Sequence, residues 1–405
     1  MRRIAWLLLL FFAFAIPWEY SLDLGEPLGN IARLVGLLLL LFAIPAVLQS
    51  GRLRTPGPMQ WLVLAFYLWS CCTYFWTIEP PATLTAMRAG FQQMMIVWLV
   101  WEIAVSANDL RALLRAVIAG SWVLALLTVA NFASVDALVS GQTRFAAVGQ
   151  DPNDLARFLD LGFPLAALLL NSESHWPWRL LAGGYFPLGL VAVLLTASRG
   201  GFLAAVIALA GSGLLLVHGH PRRVLASSLA LPPLAVLLWF IVPHETFERL
   251  ASISEQFHGG DLNQRLNIWN AGWHAFVRAP FFGAGAGSFV IAAGLAPIDT
   301  AHNTVLSITV TGGLVALFLA SAIVAAAIWS IAQTHGPLRW AMGTALAVWL
   351  TTSLVATVED SRTSWLLLAL MALSGRLALE EPESLAACFA AGGRSPELAP
   401  SAVKM

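Results

Sequence analysis

The sequence predicts an all-α polytopic membrane protein, and three observations carry that prediction. Of its 405 residues, 59% are hydrophobic and only 11% charged, against roughly 25% charged in soluble domains. Apolar stretches near the ~20 residues that a spanning helix needs follow one another along the chain, joined by short polar turns. One long polar segment, residues 244–302, interrupts the succession. The formal net charge is zero, which implies no bulk attraction to nucleic acid. Cys71, Cys72 and Cys388 lack the spacing of a disulfide framework or a metal cluster.

The chain opens with Arg2-Arg3, an apolar run from Ile4 to Ile16 and an Ala13-Phe14-Ala15 triplet. Together these resemble a secretory signal. More than ten apolar spans follow, so the run is expected to be kept as the first helix. Further spans fall near 31–48, 60–78, 87–105, 112–131, 154–170, 180–197, 201–217, 224–243, 303–331, 339–357 and 365–379. That gives about twelve helices. Nine lie in 1–243 and three in 303–379, with a cytoplasmic tail over 380–405. Pro164, Pro187, Pro232 and Pro233 lie inside spans, which membrane helices tolerate when neighbours satisfy the freed carbonyls.

Basic residues set the orientation. With a cytoplasmic N-terminus, thirteen of the 22 basic residues fall on the inner side. The other nine are Arg33, Arg88, Arg144, Arg157, Arg199, Arg249, Arg265, Arg278 and Arg362, on or near the outer side. In a bacterial inner membrane this places 244–302 in the periplasm. An outer arginine opposes the insertion bias, and one within a span is costly unless paired or facing a polar cavity. Snorkelling to lipid headgroups is the alternative. Arg199 has little room for it, because Thr196-Ala197-Ser198-Arg199-Gly200-Gly201 is a tight turn between two long apolar runs.

The sixth span opens with Gly149-Gln150-Asp151-Pro152-Asn153-Asp154. Helix N-capping accounts for one or two of these side chains. Asp151 and Asp154 are two potential cation ligands without a third carboxylate nearby. Within 244–302, the segment from Gln264 places Leu266, Trp269, Trp273, Phe276 and Val277 at helical spacing. This predicts an amphipathic helix on the membrane surface or over the spans, stopping before Ala279-Pro280. Gly283-Ala284-Gly285-Ala286-Gly287-Ser288-Phe289 follows with no preceding strand, so it reads as a turn of close backbone approach rather than a phosphate cradle. Ala301-His302-Asn303 then opens the tenth span, with Asn303 as a possible orienting amide. His302 stands at the outer mouth, on the same side as these nine arginines.

Ser198-Arg199, Arg265 with Trp269 ahead of the glycine run, and Ala301-His302-Asn303 occur in an order that resembles the O-antigen ligase superfamily, most clearly over 145–315. Val305 stands where that family often carries an aromatic residue. The resemblance implies a membrane glycosyltransferase fold of the GT-C type with one long periplasmic loop. The implied enzyme inverts the anomeric centre, uses neither metal nor cofactor, and moves a glycan from undecaprenyl pyrophosphate to an acceptor hydroxyl.

On that reading Arg199 and Arg265 hold the departing pyrophosphate through guanidinium forks. His302 deprotonates the acceptor, a role suited to its reference pKa near 6.5. Arg144 and Arg157 are further candidates for the donor pyrophosphate, and Asn303, Asn153, Trp269 and Arg362 for supporting contacts. Polymerases of this kind carry two sizeable outer loops, whereas here 132–153 is modest. This favours a ligase with the lipid A-core as acceptor, over a polymerase or a protein O-oligosaccharyltransferase. A transporter or flippase for the lipid-linked glycan would place charges near the bilayer midplane, and these gather instead at the outer mouth.

Overall fold

The protein is described by a computed structural model covering residues 1–25, 29–51, 53–134, 142–218, 221–253, 255, 265–297 and 299–391. It is all-helical, and no strand occurs among the described residues. In chain order the helices are α1 (Arg2–Ala15, continued by a 3₁₀ turn Ile16–Ser21), α2 (Ile31–Ser50), α3 (Pro58–Cys72), α4 (Pro80–Ile103), α5 (Ala107–Phe132), α6 (Pro152–Ser172), α7 (Trp176–Leu195) and α8 (Arg199–Val217). There follow α9 (Pro221–Ile241), α10 (His244–Ala251), α11 (Arg265–Arg278), α12 (Phe289–Ala293), α13 (Thr304–Gln333), α14 (Gly336–Ser353), α15 (Arg362–Glu380) and α16 (Pro382–Phe389).

Among the described residues, eight of these segments are long and apolar enough to cross a membrane: α1 with its 3₁₀ extension, α2, α5, α6, α7, α8, α13 and α15. The stretches expected to span near 60–78, 87–105, 224–243 and 339–357 are helical too, as α3, α4, α9 and α14, but stand outside that set. α3 has 15 residues, short of the ~20 that hydrocarbon requires. α4 is diluted by Arg88, Gln92, Gln93 and Glu102.

Two spans form the pillars. α6 is buried over 94% of its apolar window and α15 over 78%, whereas α2 is buried over only 22% and turns most of its surface outward. α6 packs against α5, α7, α8 and α14, and α15 against α4 and α13. A glycine lets the pillar and its neighbour meet. A Cβ at Gly162 would lie 2.3 Å from the Tyr185 hydroxyl, which instead donates to the Leu159 carbonyl at 2.7 Å.

Segment 244–302 is more regular than its sequence implies, holding α10, α11 and α12. α11 occupies the predicted amphipathic stretch and ends at Arg278, before Ala279-Pro280; Gln264 lies outside the described residues. Ile268 and Ala275 of α11 join Phe289, Ala292, Ala301 and Val310 in a small apolar cluster on the outer half of α13. Leu266, Trp273 and Val277 on its other side remain exposed, as suits a helix lying along an interface.

The glycine run locks this roof into a break in α13. Gly313 has φ 68° and ψ −167° inside the helix, which frees backbone groups around it. Ala284 and Gly285 donate to the carbonyls of Val310 and Thr311 at 2.8 and 2.9 Å, and Leu314 donates to Pro280 at 2.8 Å. The Trp69 indole donates to the Gly312 carbonyl at 2.8 Å. Interrupted backbone at membrane depth costs several kcal/mol per unsatisfied group, and here protein satisfies each of these. A Cβ at Gly283 would meet Thr311 at 2.5 Å, and one at Gly285 would meet Thr77 at 2.1 Å, so the approach requires glycine. With Ala286 donating to Thr73 at 3.0 Å, the N–H groups that a phosphate would need are already used.

Candidate active site

The site is built at the end of the bundle where 244–302 lies, beginning with the turn between α7 and α8. Ala197 has φ 47° there, in the left-handed region, a conformation that costs a non-glycine residue of order 1–3 kcal/mol and persists only when its surroundings fix it. Four contacts do so. Ala197 N donates to Leu194 at 2.9 Å, and Ser198 N to the Thr196 hydroxyl at 3.2 Å. Arg144 Nε reaches the Thr196 carbonyl at 3.0 Å, and Arg249 Nε the Ala197 carbonyl at 3.0 Å. Ser198 then caps α8 by accepting from Gly201 N.

Arg199 and Arg249 are interlocked across this turn. Arg199 Nε donates to the Arg249 carbonyl at 3.1 Å and its Nη2 to Ser252 Oγ at 2.7 Å. α10 is thereby fastened over the mouth, and Arg249, for which no role was expected, becomes a neighbour of Arg199. Arg144 Nη2 donates to Asn153 Oδ1 at 2.7 Å, which also accepts from Ser198 Oγ at 2.9 Å. Asn153 thus ties the start of α6 to both arginine-bearing segments.

His302 is the second non-glycine residue with positive φ, also 47°. It is held from both sides. The indole of Trp269, on α11, donates to the Ala301 carbonyl at 3.1 Å. Asn303 caps α13 by accepting from Leu306 N at 2.9 Å and donates to the Leu354 carbonyl at 3.2 Å. The capping duty a structural histidine might carry thus belongs to Asn303, leaving the His302 ring half-buried at the mouth.

Electrostatics shows which charges converge. Burial lowers the Arg144 pKa first, followed by the cations Arg249, Arg265 and Arg199, while Asp151 opposes them. Arg265 is lowered by burial and by Arg199, against Asp151. His302 is held below 6.5 by burial and then by Arg265, with Asp151 and Asp299 opposing. Four guanidinium groups and an imidazole therefore share one region with a single recurring counter-charge, Asp151. That carboxylate also caps α6, accepting from Asn153 N at 2.8 Å and Asp154 N at 3.3 Å. Among the described residues no three His, Cys, Asp or Glu side chains group as metal ligands do.

Two of the expected residues lie apart from this cluster. Arg157 is buried in α6, 3.4 Å from Asp154 and over the Phe158 ring. Its Nε and Nη1 lack partners in the structure, and it lines a cavity of about 270 Å³ with Tyr20, Asp151 and Asp360. Arg362 pairs with Glu19 and donates to Gln92 at 2.6 Å, and it is absent from the charges felt by Arg144, Arg265 or His302.

A larger cavity of about 550 Å³ meets the smaller one at Thr357 and Asp360 and extends to Asp299–Ala301, directly before His302. Aromatic rings of Phe66, Trp69 and Phe289 line it together with Gln93 and Glu359. Burial, and then the adjacent Asp360, push the Glu359 carboxyl up to about 8. Neither acidic residue was distinguished by the sequence, because a Glu-Asp pair between two apolar runs is an ordinary surface turn until a cavity is found beside it.

Residues 184–321 match the family model described as O-Antigen ligase. Over this stretch the chain is similar to an O-antigen ligase domain. The resemblance to the O-antigen ligase superfamily is thereby shown from the second half of α7 to the middle of α13, short of half the chain. No curated protein matches the chain. The domain contains Arg199, Arg249, Arg265, Trp269, His302 and Asn303, whereas Arg144, Asn153, Arg157 and Arg362 come from outside it. The site therefore joins the domain to the start of α6.

Proposed function

We propose that this chain is an O-antigen ligase, a metal-independent glycosyltransferase that moves a glycan from undecaprenyl pyrophosphate to the lipid A-core oligosaccharide at the periplasmic face of a bacterial inner membrane. The supporting observation is the convergence of Arg144, Arg199, Arg249 and Arg265 beside His302 with Asp151 as shared counter-charge. Such a region suits a ligand bearing several negative charges, and a pyrophosphate leaving group needs its departing charge stabilised where water is scarce.

The chemistry divides among the residues. Arg199 and Arg265 grip the pyrophosphate oxygens, with Arg249 beside them. Arg144 acts mainly through its bonds to Thr196 and Asn153, which hold the turn carrying Arg199. An acceptor hydroxyl gives its proton to the neutral imidazole of His302 as its oxygen bonds to the anomeric carbon. The bond from that carbon to the phosphate oxygen breaks on the opposite face, inverting the centre and releasing undecaprenyl pyrophosphate. Burial, and then the cationic Arg265, keep the imidazole unprotonated at neutral pH, the state a general base requires. Stacking faces and hydrogen-bonding groups in the 550 Å³ cavity suit a saccharide that reaches the histidine from below.

A deletion strain tests the reading through its lipopolysaccharide ladder. Loss of a ligase leaves lipid A-core without long chains while polymer accumulates on the lipid carrier. Single-repeat caps on the core would identify a polymerase, and an unchanged ladder would overturn both.

A further inference from the structure

Three arginines outside the catalytic cluster gather at a second place. Arg33, Arg88 and Arg362 line one groove of about 460 Å³ between α1, α2 and α4. Leu37, Leu40, Met95 and Leu99 supply much of its remaining wall. It opens beside α2, the least buried of the apolar spans, so it faces lipid. Arg88 stands two turns inside α4, where a guanidinium is costly unless something anionic meets it. Among the described residues neither Arg33 nor Arg88 has a carboxylate within ion-pair range, and Arg362 is already matched by Glu19. The groove thus carries a net cationic head above an apolar trough.

None of these three arginines appears among the charges that perturb Arg144, Arg265 or His302, so groove and cluster are separate sites. They are nevertheless connected. Tyr67 borders both the groove and the 550 Å³ cavity. Its ring packs 6.1 Å from that of Phe91, and a Cβ at Gly90 would come within 3.3 Å of it. From Tyr67 the cavity runs past Gln93 to Asp299–Ala301.

We propose that this groove holds the acceptor: the phosphate of an acylated glycolipid sits on Arg33 and Arg88, its acyl chains lie along α2 and α4, and its saccharide passes Tyr67 into the cavity that reaches Asp299–Ala301, next to His302 in the chain. The proposal rests on the glycosyl-transfer reading, which calls for two lipid substrates. It gives each an arginine group of its own.

The test uses purified full-length protein with Arg33→Ala, Arg88→Ala and the double variant. With lipid A-core as acceptor, the double variant should raise acceptor KM by on the order of tenfold or more, as expected for lost charge-assisted hydrogen bonds. Its kcat and donor KM should stay within about twofold, and lysine at both positions should restore much of the acceptor affinity, because a point charge suffices for a monophosphate. Native mass spectrometry supplies an arm that needs no turnover. Wild type should retain lipid A over its dephosphorylated form and over phosphatidylglycerol, and the double variant should lose that preference. An unchanged acceptor KM, a raised donor KM, or equal retention of phosphatidylglycerol and lipid A would each overturn the assignment. If wild type transfers to no acceptor, the glycosyl-transfer reading fails while the binding arm still decides whether the groove selects a phosphorylated glycolipid.

Discussion

The two ends of the helical bundle handle arginine in opposite ways. At the end away from 244–302, arginines meet carboxylates or helix-terminal carbonyls. Arg115 makes a bidentate pair with buried Glu173, both contacts at 2.7 Å. Arg376 donates to the carbonyls of Trp101 and Ala104 and approaches Glu380 at 3.5 Å, and Arg54 reaches Glu380 at 3.8 Å. At the other end Arg157 and Arg362 are also paired, with Asp154 and Glu19, but the clustered guanidiniums of Arg144, Arg199 and Arg249 are steadied by neutral groups. Carbonyls of Thr196, Ala197 and Arg249, the Asn153 amide and the Ser252 hydroxyl fix their orientation. Among the described residues Arg144, Arg249 and Arg265 have no carboxylate within ion-pair range. Pairing an arginine internally gives architecture; orienting it while leaving the charge uncancelled gives a site for an anion.

Substitutions can break this contrast, and the largest effect is expected at His302. His302→Ala should lower transfer by about 10²–10⁴-fold, the usual contribution of a general base. Donor binding should survive, because in the proposed function the arginines and not the imidazole hold the pyrophosphate, and Asn303 still caps α13. Transfer rate and donor affinity measured on one purified variant decide the matter: retention of rate, or loss of both together, removes His302 as the base. The wild-type pH profile adds a second view. His302 titrates below 6.5, so its active neutral form dominates above that value. Rate should fall only as pH drops through the lowered pKa, placing the acid limb below 6.5; a limb at 7 or higher would contradict the geometry.

Lysine at Arg199 or Arg265 comes next. Charge is conserved but the two-pronged fork is not, so transfer should fall by about one to three orders of magnitude, roughly 1.4–4 kcal/mol of transition-state contact. Steady-state kinetics on both variants would show whether diffuse charge alone suffices, in which case near-full activity is retained.

The smallest effect on catalysis is expected at the opposite end. Glu173→Gln leaves Arg115 facing a neutral amide, and disrupting a largely buried pair should cost about 1–3 kcal/mol of stability. Thermal melting in detergent should therefore drop, while transfer per folded molecule remains at the wild-type level. A catalytic defect at constant stability would mean that the two ends are coupled and that the contrast between them is incomplete.

Much of this was legible in the chain. Apolar run length and composition mark the spans, and spacing of Leu266, Trp269, Trp273 and Phe276 marks α11, because both depend on residues within a few turns of one another. The tight turn at Ser198-Arg199 and the His302-Asn303 step before a span are likewise local signals. The two short helices of 244–302 were harder to see. Only α11 has a strong helical stripe of large apolar residues, while α10 has 8 residues and α12 has 5, and both are held in place by docking on the spans.

What the sequence determined by itself was therefore an all-helical membrane chain, its helical segments and nine arginines that oppose the charge bias of the rest. Tertiary structure decided how those nine divide. Arg249 joins Arg199 because α10 folds back over the α7–α8 turn; Arg157 goes to a neighbouring cavity with Asp154; Arg33, Arg88 and Arg362 gather on the lipid-facing side; Arg278 ties α11 to the Ala292 carbonyl. The glycine run, too, found its purpose only in the break at Gly313, about thirty residues later in the chain. Periodicity and composition report which side of a helix is apolar and where it ends. Which helix ends become neighbours is settled by packing between segments far apart in sequence, and the sharing of one field by several arginines follows from that packing alone.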